Sequence, residues 1–233
     1  MKNPRILEIS VESVEAAMAA ERGGADRIEL CSHASEGGTT PAPELLRAAR
    51  ERVALPIFSM IRPRAGGFVY CDAEFETMAR EIVTAKEFGM DGVVVGLLSD
   101  KGQIDIARTR QLVERAKPLP VTFHRAFDEC TNLRTSLENV IKTGATRLLT
   151  SGGKQTAPEA LGLLAELVNT AGDRLVVMPG SGLHAGNIRE AVKKTRAGEY
   201  HAGLSSVVAH PADNLAAFEE AVRKLAAGLA DRA

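Results

Sequence analysis

Acidic, basic and sulfur-containing residues stand at the ends of several β-type segments of this sequence. Glu29 and Cys31 are two residues apart, so a strand would place both side chains on one face. Burying a charged side chain without a partner is costly, and titratable residues ending at least five such segments therefore favour a functional site. For any single residue, a solvated rim or an ion pair such as Glu29 with Arg62 is the alternative. The candidates are Glu29, Cys31, Arg62, Arg64, His124, Arg125, Asp128, Ser151 and His201.

A glycine-rich segment follows the seventh β-type segment. Gly180 and Gly182 come just before a helix that we expect to begin near His184, so their amides would be exposed at its N-terminus. With Ser205, they predict a site for phosphate or another anion; the alternative is that these glycines only form a tight turn. Guanidinium and ammonium groups suit oxyanions, and the basic candidates are Arg62, Arg64, Arg125 and Lys154.

Short β-rich runs alternate with amphipathic helical stretches eight times along the chain. We predict strands over Ile6–Val11, Arg27–Cys31, Pro56–Arg62, Gly92–Leu98, Pro120–Phe127, Arg147–Ser151, Arg174–Pro179 and Glu199–Ser205. We predict helices over Val14–Arg22, Pro43–Arg52, Glu74–Phe88, Asp105–Ala116, Leu133–Lys142, Pro158–Asn169, Ala185–Thr195 and Ala212–Leu229. Eight βα units predict a single (β/α)8 barrel, the TIM barrel, over residues 1–233. A doubly wound sheet is the rival, but no GxGxxG motif follows the first strand.

The composition is that of an ordinary globular protein, with 45% hydrophobic and 25% charged residues. The net charge of −1 offers no positive field for nucleic acid or an anionic membrane, so we expect neither as a partner. The three cysteines form no CxxC pair and are too few for a disulfide framework. No secretory signal and no apolar run of about 20 residues is present, so we expect a cytoplasmic protein.

Several longer runs together resemble the copper homeostasis protein family called CutC. They are DRIELC, EGGTTP, IRPR, VTFHRAFD and LLTSG, at Asp26–Cys31, Glu36–Pro41, Ile61–Arg64, Val121–Asp128 and Leu148–Gly152. The resemblance extends from about Leu7 to about Ser206 and implies a TIM barrel, a homo-oligomer and a role in cytoplasmic copper handling. Carried over by position, the family's shared polar residues are the nine candidates named above.

A copper ion is the ligand that this resemblance implies. Copper(I) prefers thiolate or thioether ligands, and copper(II) accepts imidazole. A copper site would therefore centre on Cys31, with His124 or a second thiol beside it, and His201 is a further candidate ligand. The alternative for Cys31 is a small buried apolar residue. Cys71 and Cys130 also fall on the side of the strand ends but have no predicted role, and the methionines, Met60 among them, are expected to fill the core.

The charge of the same region favours a second hypothesis, an enzyme acting on a small anionic metabolite such as a phosphorylated sugar. Three arginines would repel a cation but would bind an anion. His124 would act as general acid or base, oriented by Asp128 or Glu29. Ser151 and the Gly180–Gly182 amides would hold the oxyanion. In a (β/α)8 barrel, both kinds of site lie at the C-terminal ends of the strands, which form the mouth of the barrel.

Overall fold

The computed structural model describes residues 5–203 and 214–230. Its strands are β1 (Ile6–Val11), β2 (Arg27–Leu30), β3 (Ile57–Met60), β4 (Gly92–Val95), β5 (Val121–Phe123), β6 (Arg147–Thr150), β7 (Val176–Pro179) and β8 (Glu199–Gly203). Its helices are α1 (Val14–Arg22), α2 (Pro43–Arg52), α3 (Asp72–Glu87), α4 (Ile106–Ala116), α5 (Leu133–Thr143), α6 (Leu161–Ala171), α7 (Ile188–Thr195) and α8 (Leu215–Ala230). Ser205, one of the predicted anion-binding residues, lies outside the described part of the chain.

The strands form one parallel sheet that curls into a barrel. Each of β1 to β6 pairs with its successor in the chain, and β8 pairs with β1. A bridge between Gly180 and His201 links β7 to β8 and closes the circle. A Cβ atom on Gly180 would lie only 3.0 Å from His201 Cβ in β8, so this glycine lets the last two strands meet. The predicted TIM barrel is confirmed.

The helices form because their apolar residues recur every three or four positions and are buried against the barrel. In α6, Leu161, Leu164 and Leu167 all lie on the buried face. Local signals fix the ends of α5: the side chain of Asn132 accepts the Thr135 N–H, and Gly144 ends the helix with a left-handed φ of 83°. No helix in the described residues is long and apolar enough to cross a membrane.

Most differences from the predicted elements lie at the mouth, where strands end earlier than their apolar patterns suggest. The predicted strand Pro120–Phe127 stops at Phe123, and Arg125–Glu129 form a 3₁₀ helix. The cause is the side chain of His124, whose Nδ1 accepts the Ala126 N–H and turns the chain out of the sheet. One helix also differs from its prediction: α7 begins at Ile188, whereas we expected a start near His184.

The later start of α7 has a local cause. The N–H of His184 donates to the side-chain oxygen of Asn187 at 2.9 Å, which forms a separate turn before the helix. The anion-site prediction assumed that the glycine segment leads directly into a helix N-terminus. The separate turn lies between them, so this assumption is wrong.

Candidate functional site

A cavity of about 190 Å³ opens at the mouth of the barrel. It lies where the C-terminal ends of the strands converge, the region in which (β/α)8 barrels carry their functional sites. The structure brings five of the predicted site residues to this cavity together with a hydroxyl and a thioether. The polar and sulfur-containing residues at its wall include Ser10, Glu29, Cys31, Met60, His124, Arg125 and His201.

One side of the cavity carries a buried histidine between two carboxyl groups. The register of β1 and β8 pairs Glu8 with His201, and His201 Nδ1 lies 2.8 Å from Glu8 Oε1. On the other edge of the ring, His201 Nε2 lies 3.9 Å from Glu29 Oε2. Glu29 Oε1 has no hydrogen-bond partner among the described residues. These three side chains are also close enough together to hold a metal ion.

The pKa values of the two carboxyl groups beside His201 are shifted in opposite directions. Burial alone would raise the pKa of Glu8, but hydrogen bonding to His201 and the charge of Arg27 lower it to about 2. Burial raises the pKa of Glu29, which favours its protonated form. Burial opposes the charged form of His201, but the nearby carboxylates of Glu29 and Glu8 outweigh it and raise the pKa. Glu8 therefore stays ionised and accepts the Nδ1–H of His201.

A layer of ion pairs beneath the cavity holds Glu8 in place. Arg27 donates to Glu8 Oε2 at 2.5 Å and also to Glu199, and Arg147 donates to Glu199 at 2.7 Å. Both guanidinium groups lie against the ring of Phe58, at 4.9 and 5.2 Å from its centroid. Sequence reasoning did not identify Arg27, Arg147 or Glu199. The available signal was a charged residue at the first position of each of the strands β2, β6 and β8.

Cys31 is buried at the end of β2 and borders the cavity. Its Sγ lies 3.6 Å from Ser10 Oγ. Burial, reinforced by the negative charge of Glu29, raises the pKa of the thiol to about 12. A Cβ atom on Gly38 would lie 3.5 Å from Cys31 Sγ and 3.3 Å from Met60 Cε. Met60, which the sequence suggested was core filling, therefore contributes a second sulfur side chain to this side of the cavity.

The other two cysteines do not line the cavity. Cys71 is exposed and occupies the N-cap of α3. Cys130 is buried within an apolar cluster that includes Phe123 and Phe127. A site with a second thiol beside Cys31 is therefore not formed in this arrangement.

His124 borders the opposite side of the cavity in a different protonation state. The Ala126 N–H donates to Nδ1 at 3.1 Å, so the proton of the neutral ring resides on Nε2. Burial, followed by the charges of Arg62 and Arg125, lowers the pKa to about 3. A protonated Nε2 cannot ligate a metal, and a group with this pKa does not titrate near neutral pH. The geometry thus argues against the predicted roles of His124 as a metal ligand and as a titrating acid or base.

Asp128 does not orient His124, contrary to the prediction. Its carboxylate accepts hydrogen bonds from Arg125 Nε at 2.9 Å, Thr150 Oγ1 at 2.5 Å and the Ser151 and Gly153 amides at 3.0 Å each. These bonds tie the segment after β5 to the segment after β6. Asp128 therefore positions Arg125 and the β6 loop rather than a catalytic proton.

Two of the predicted anion-binding arginines hold loops instead. Arg62 is buried and donates to the carbonyl oxygens of Glu36, Gly38 and Gly66. Arg64 forms an ion pair with Glu74 at 2.5 Å and donates to further carbonyl oxygens of its own loop. Of the arginines proposed from the sequence, only Arg125 lines the cavity.

The other predicted anion donors are likewise engaged in the fold. The Gly180 N–H donates to the Thr150 carbonyl at 3.0 Å. A Cβ atom on Gly182 would lie 2.7 Å from Thr156 Cβ, which shows that this turn is closely packed. The hydroxyl of Ser151 contacts Asp128, the Lys154 carbonyl and Arg125. The tight-turn interpretation of the glycine segment fits these contacts better than the phosphate site.

Comparisons with known proteins identify the family. The model of the CutC family matches residues 5–206. A CutC family protein of Chromobacterium violaceum is 46% identical over 205 residues, which cover 88% of this chain and 83% of that protein. The human copper homeostasis protein cutC homolog is 46% identical over 204 residues, covering 88% of this chain and 75% of that protein.

A solved structure agrees with the sequence comparisons. The crystal structure of CutC from Streptococcus agalactiae superposes with a TM-score of 0.80 at 30% identity, covering 85% of this chain and 98% of that one. The conserved fold and the match over most of the sequence lead to one assignment. The chain belongs to the CutC family.

Proposed function

We propose that this chain binds copper(I) as its cargo in the mouth cavity, with Cys31 and His201 as protein ligands. The observation that carries the proposal is the chemistry of the donors on one side of the cavity: a thiol, an oriented imidazole and a neighbouring thioether. Thiolate and thioether groups favour copper(I). The human relative is named for copper homeostasis, which supports copper rather than another soft metal.

The environment of His201 suits a ligand better than a structural residue. Glu8 fixes the Nδ1 edge of the ring at 2.8 Å, so the neutral ring presents a lone pair at Nε2. A carboxylate behind a histidine in this way fixes the ring orientation and increases its basicity toward a metal.

Copper binding must also remove the proton of Cys31. Because burial raises the pKa of this thiol to about 12, the free chain holds it protonated at neutral pH. The thiolate is the ligand, so binding releases a proton and the apparent affinity increases with pH. The thiol of Cys31 is therefore protonated in the copper-free chain and loses its proton when copper binds.

The alternative function, an enzyme acting on a phosphorylated metabolite, draws less support from the described residues. Arg62 and Arg64 bond to loop carbonyls, and the amide of Gly180 belongs to the sheet. What is left of that hypothesis is the pair His124 and Arg125, both of which line the cavity.

An anaerobic titration of the full chain with copper(I), in competition with a chromophoric chelator, tests the proposal. We expect one copper ion per chain, and at least a tenfold loss of affinity in Cys31→Ser. Cys71→Ser is the matched control, because the same substitution is made at an exposed helix cap where serine is a good replacement. Equal affinities of Cys31→Ser and the unmodified chain would exclude this site.

Two further features of the family stay part of the proposal. A reducing cytoplasm keeps a thiol such as Cys31 available for copper, and we propose this compartment; fractionation of cells expressing the tagged chain measures it.

We also propose a homo-oligomer. Light scattering coupled to gel filtration determines its mass, and a monomer at micromolar concentration would exclude it.

A further inference from the structure

His124 carries a buried hydrogen-bond donor that no described residue uses. Its side chain borders the mouth cavity and is 4% exposed. Because Nδ1 accepts the Ala126 N–H, the ring proton is on Nε2. Nε2 is shielded from solvent and has no acceptor among the described residues. Buried donors almost always have a partner, so this one calls for an acceptor that comes with a ligand.

The ring of His124 is held so that Nε2 keeps its position. On one face, a Cβ atom on Gly96 would lie 2.2 Å from ring atoms Nδ1 and Cε1, so only glycine leaves room for the ring. Phe68 packs nearby with its ring centroid 5.0 Å away. The bond from Ala126 N–H fixes the remaining rotation. A donor held in this way is preorganised for an acceptor at one place.

Positive charge surrounds this donor. Arg125 lines the same cavity and uses Nε and Nη2 to bond to Asp128 and Ser151. No described residue accepts a hydrogen bond from its Nη1. Arg62 lies on the other side, with its guanidinium carbon 4.9 Å from the centroid of Phe68. A neutral N–H donor beside fixed guanidinium groups attracts an oxygen acceptor with negative charge and repels a cation.

We propose that His124 and Arg125 form a binding subsite for a small carboxylate, on the side of the mouth cavity opposite Cys31 and His201. One carboxylate oxygen accepts from His124 Nε2–H, and Arg125 supplies the charge. The subsite does not depend on copper, because none of its groups belongs to the copper ligands. If both subsites are filled, the cavity holds a cation and an anion side by side.

The size and donor set of the cavity select the class of ligand. Its volume of about 190 Å³ is below the ~300–1,000 Å³ of pockets for drug-sized molecules, so only a small molecule fits. A tetrahedral phosphate requires several donors, and the β7 segment that commonly supplies them in barrels has its Gly180 amide in the sheet. A planar carboxylate needs only the two groups present.

Nuclear magnetic resonance of the copper-free full chain tests the subsite directly. A long-range ¹H–¹⁵N spectrum assigns the tautomer of each histidine, and acetate, malonate and inorganic phosphate are then titrated at constant ionic strength. We expect the Nε2–H tautomer for His124 and a saturable shift of this proton with acetate or malonate. The Nδ1–H tautomer, or a phosphate response equal to that of both carboxylates, would overturn the proposal.

Two variants provide a matched comparison. His124→Phe keeps an aromatic ring beside Phe68 and removes the donor, and we expect malonate binding to weaken about tenfold. His184→Phe is the control, since His184 Nδ1 also accepts the N–H two residues further on, at 3.1 Å, but the residue is exposed and outside the mouth cavity. Equal malonate affinities of the two variants would contradict the subsite. Because all samples lack copper, failure of the copper proposal would not affect this result.

Discussion

The two sides of the mouth cavity each hold a buried histidine, and the two histidines have opposite properties. His201 and His124 are 6% and 4% exposed, and the Nδ1 of each is fixed by one hydrogen bond. In His201 this atom faces a carboxylate and the pKa is raised, by Glu29 and Glu8 against the effect of burial. In His124 it accepts a backbone N–H, and burial with two guanidinium groups lowers the pKa to about 3.

The difference shows that the partner of Nδ1, not the residue type, decides what the ring offers to the cavity. A carboxylate partner leaves a lone pair on Nε2 of the neutral ring, which suits a metal. An N–H partner leaves a proton on Nε2, which suits an oxygen acceptor. We therefore propose a cation-binding side formed by β1, β2 and β8 and an anion-binding side formed after β5.

Removing the carboxylate behind His201 is expected to have the largest effect. Glu8→Gln leaves Arg27 and His201 buried with an incomplete set of partners, so we expect a loss of about 3–5 kcal/mol in the free energy of unfolding. Urea denaturation measures it. Glu138→Gln is the control, because its pair with Arg174 is exposed and exposed pairs contribute little to stability. Equal losses in the two variants would show that the buried layer does not support His201.

The two histidines are also expected to make stability depend on pH in opposite directions. In the unfolded chain His124 takes up a proton below about pH 6.5, but in the folded chain only near its pKa of about 3. Between these values the unfolded state binds more protons, so stability falls as pH falls, by ~1.4 kcal/mol per pH unit. We expect urea denaturation of His124→Gln to lack this part of the slope. An unchanged slope would contradict a neutral, buried His124.

His201 is expected to show the reverse dependence. Its folded pKa is raised above the unfolded value, so its contribution to stability is complete below about pH 6.5 and is lost as pH rises through the folded pKa. His201→Gln should therefore be more destabilised at pH 5.5 than at pH 9 in the same urea assay. A loss that grows with pH would mean that the carboxylates do not control this ring.

The fold was predictable from the sequence because periodicity and punctuation act locally. The alternation of short apolar runs with amphipathic segments gave eight βα units, and glycines such as Gly144 marked helix ends. Strand ends were less predictable. Nδ1 of His124 accepts the Ala126 N–H and ends β5 after Phe123, and Asp128 accepts the Ser151 N–H of the segment after β6.

The candidate site was predictable in place but not in role. Residues at strand ends gather at one mouth, which located Glu29, Cys31, His124, Arg125 and His201. Which partner each polar atom takes depends on loops that no sequence pattern specifies. The carbonyls that occupy Arg62 and Arg64 come from such loops, and so do the contacts of Ser151. The ion pairs of the interior escaped notice because barrel interiors are usually filled by apolar layers.

The closing contact of the barrel allows one side of the cavity to be perturbed alone. In Gly180→Ala the new methyl group would lie 2.4 Å from Leu149 Cδ1 and 3.0 Å from His201 Cβ. Overpacking of this kind costs about 1–3 kcal/mol, which thermal or urea unfolding measures. We expect the NMR signals of His201 to shift while those of His124 stay in place. Equal shifts of both would mean that the two sides are not independent.

The smallest expected effect concerns Glu29, the second carboxyl group beside His201. Burial raises the pKa of this carboxyl, so Glu29→Gln resembles its protonated form and should change stability little at pH 5. The substitution removes the charge of Glu29, which is the largest contribution that raises the pKa of His201, so that pKa should fall while His124 is unaffected. Histidine ¹³C or ¹⁵N shifts followed from pH 4 to 9 measure both rings in one sample. Should His201 titrate unchanged, Glu8 alone would account for its charge, and the paired carboxyl groups would not be what distinguishes the cation-binding side.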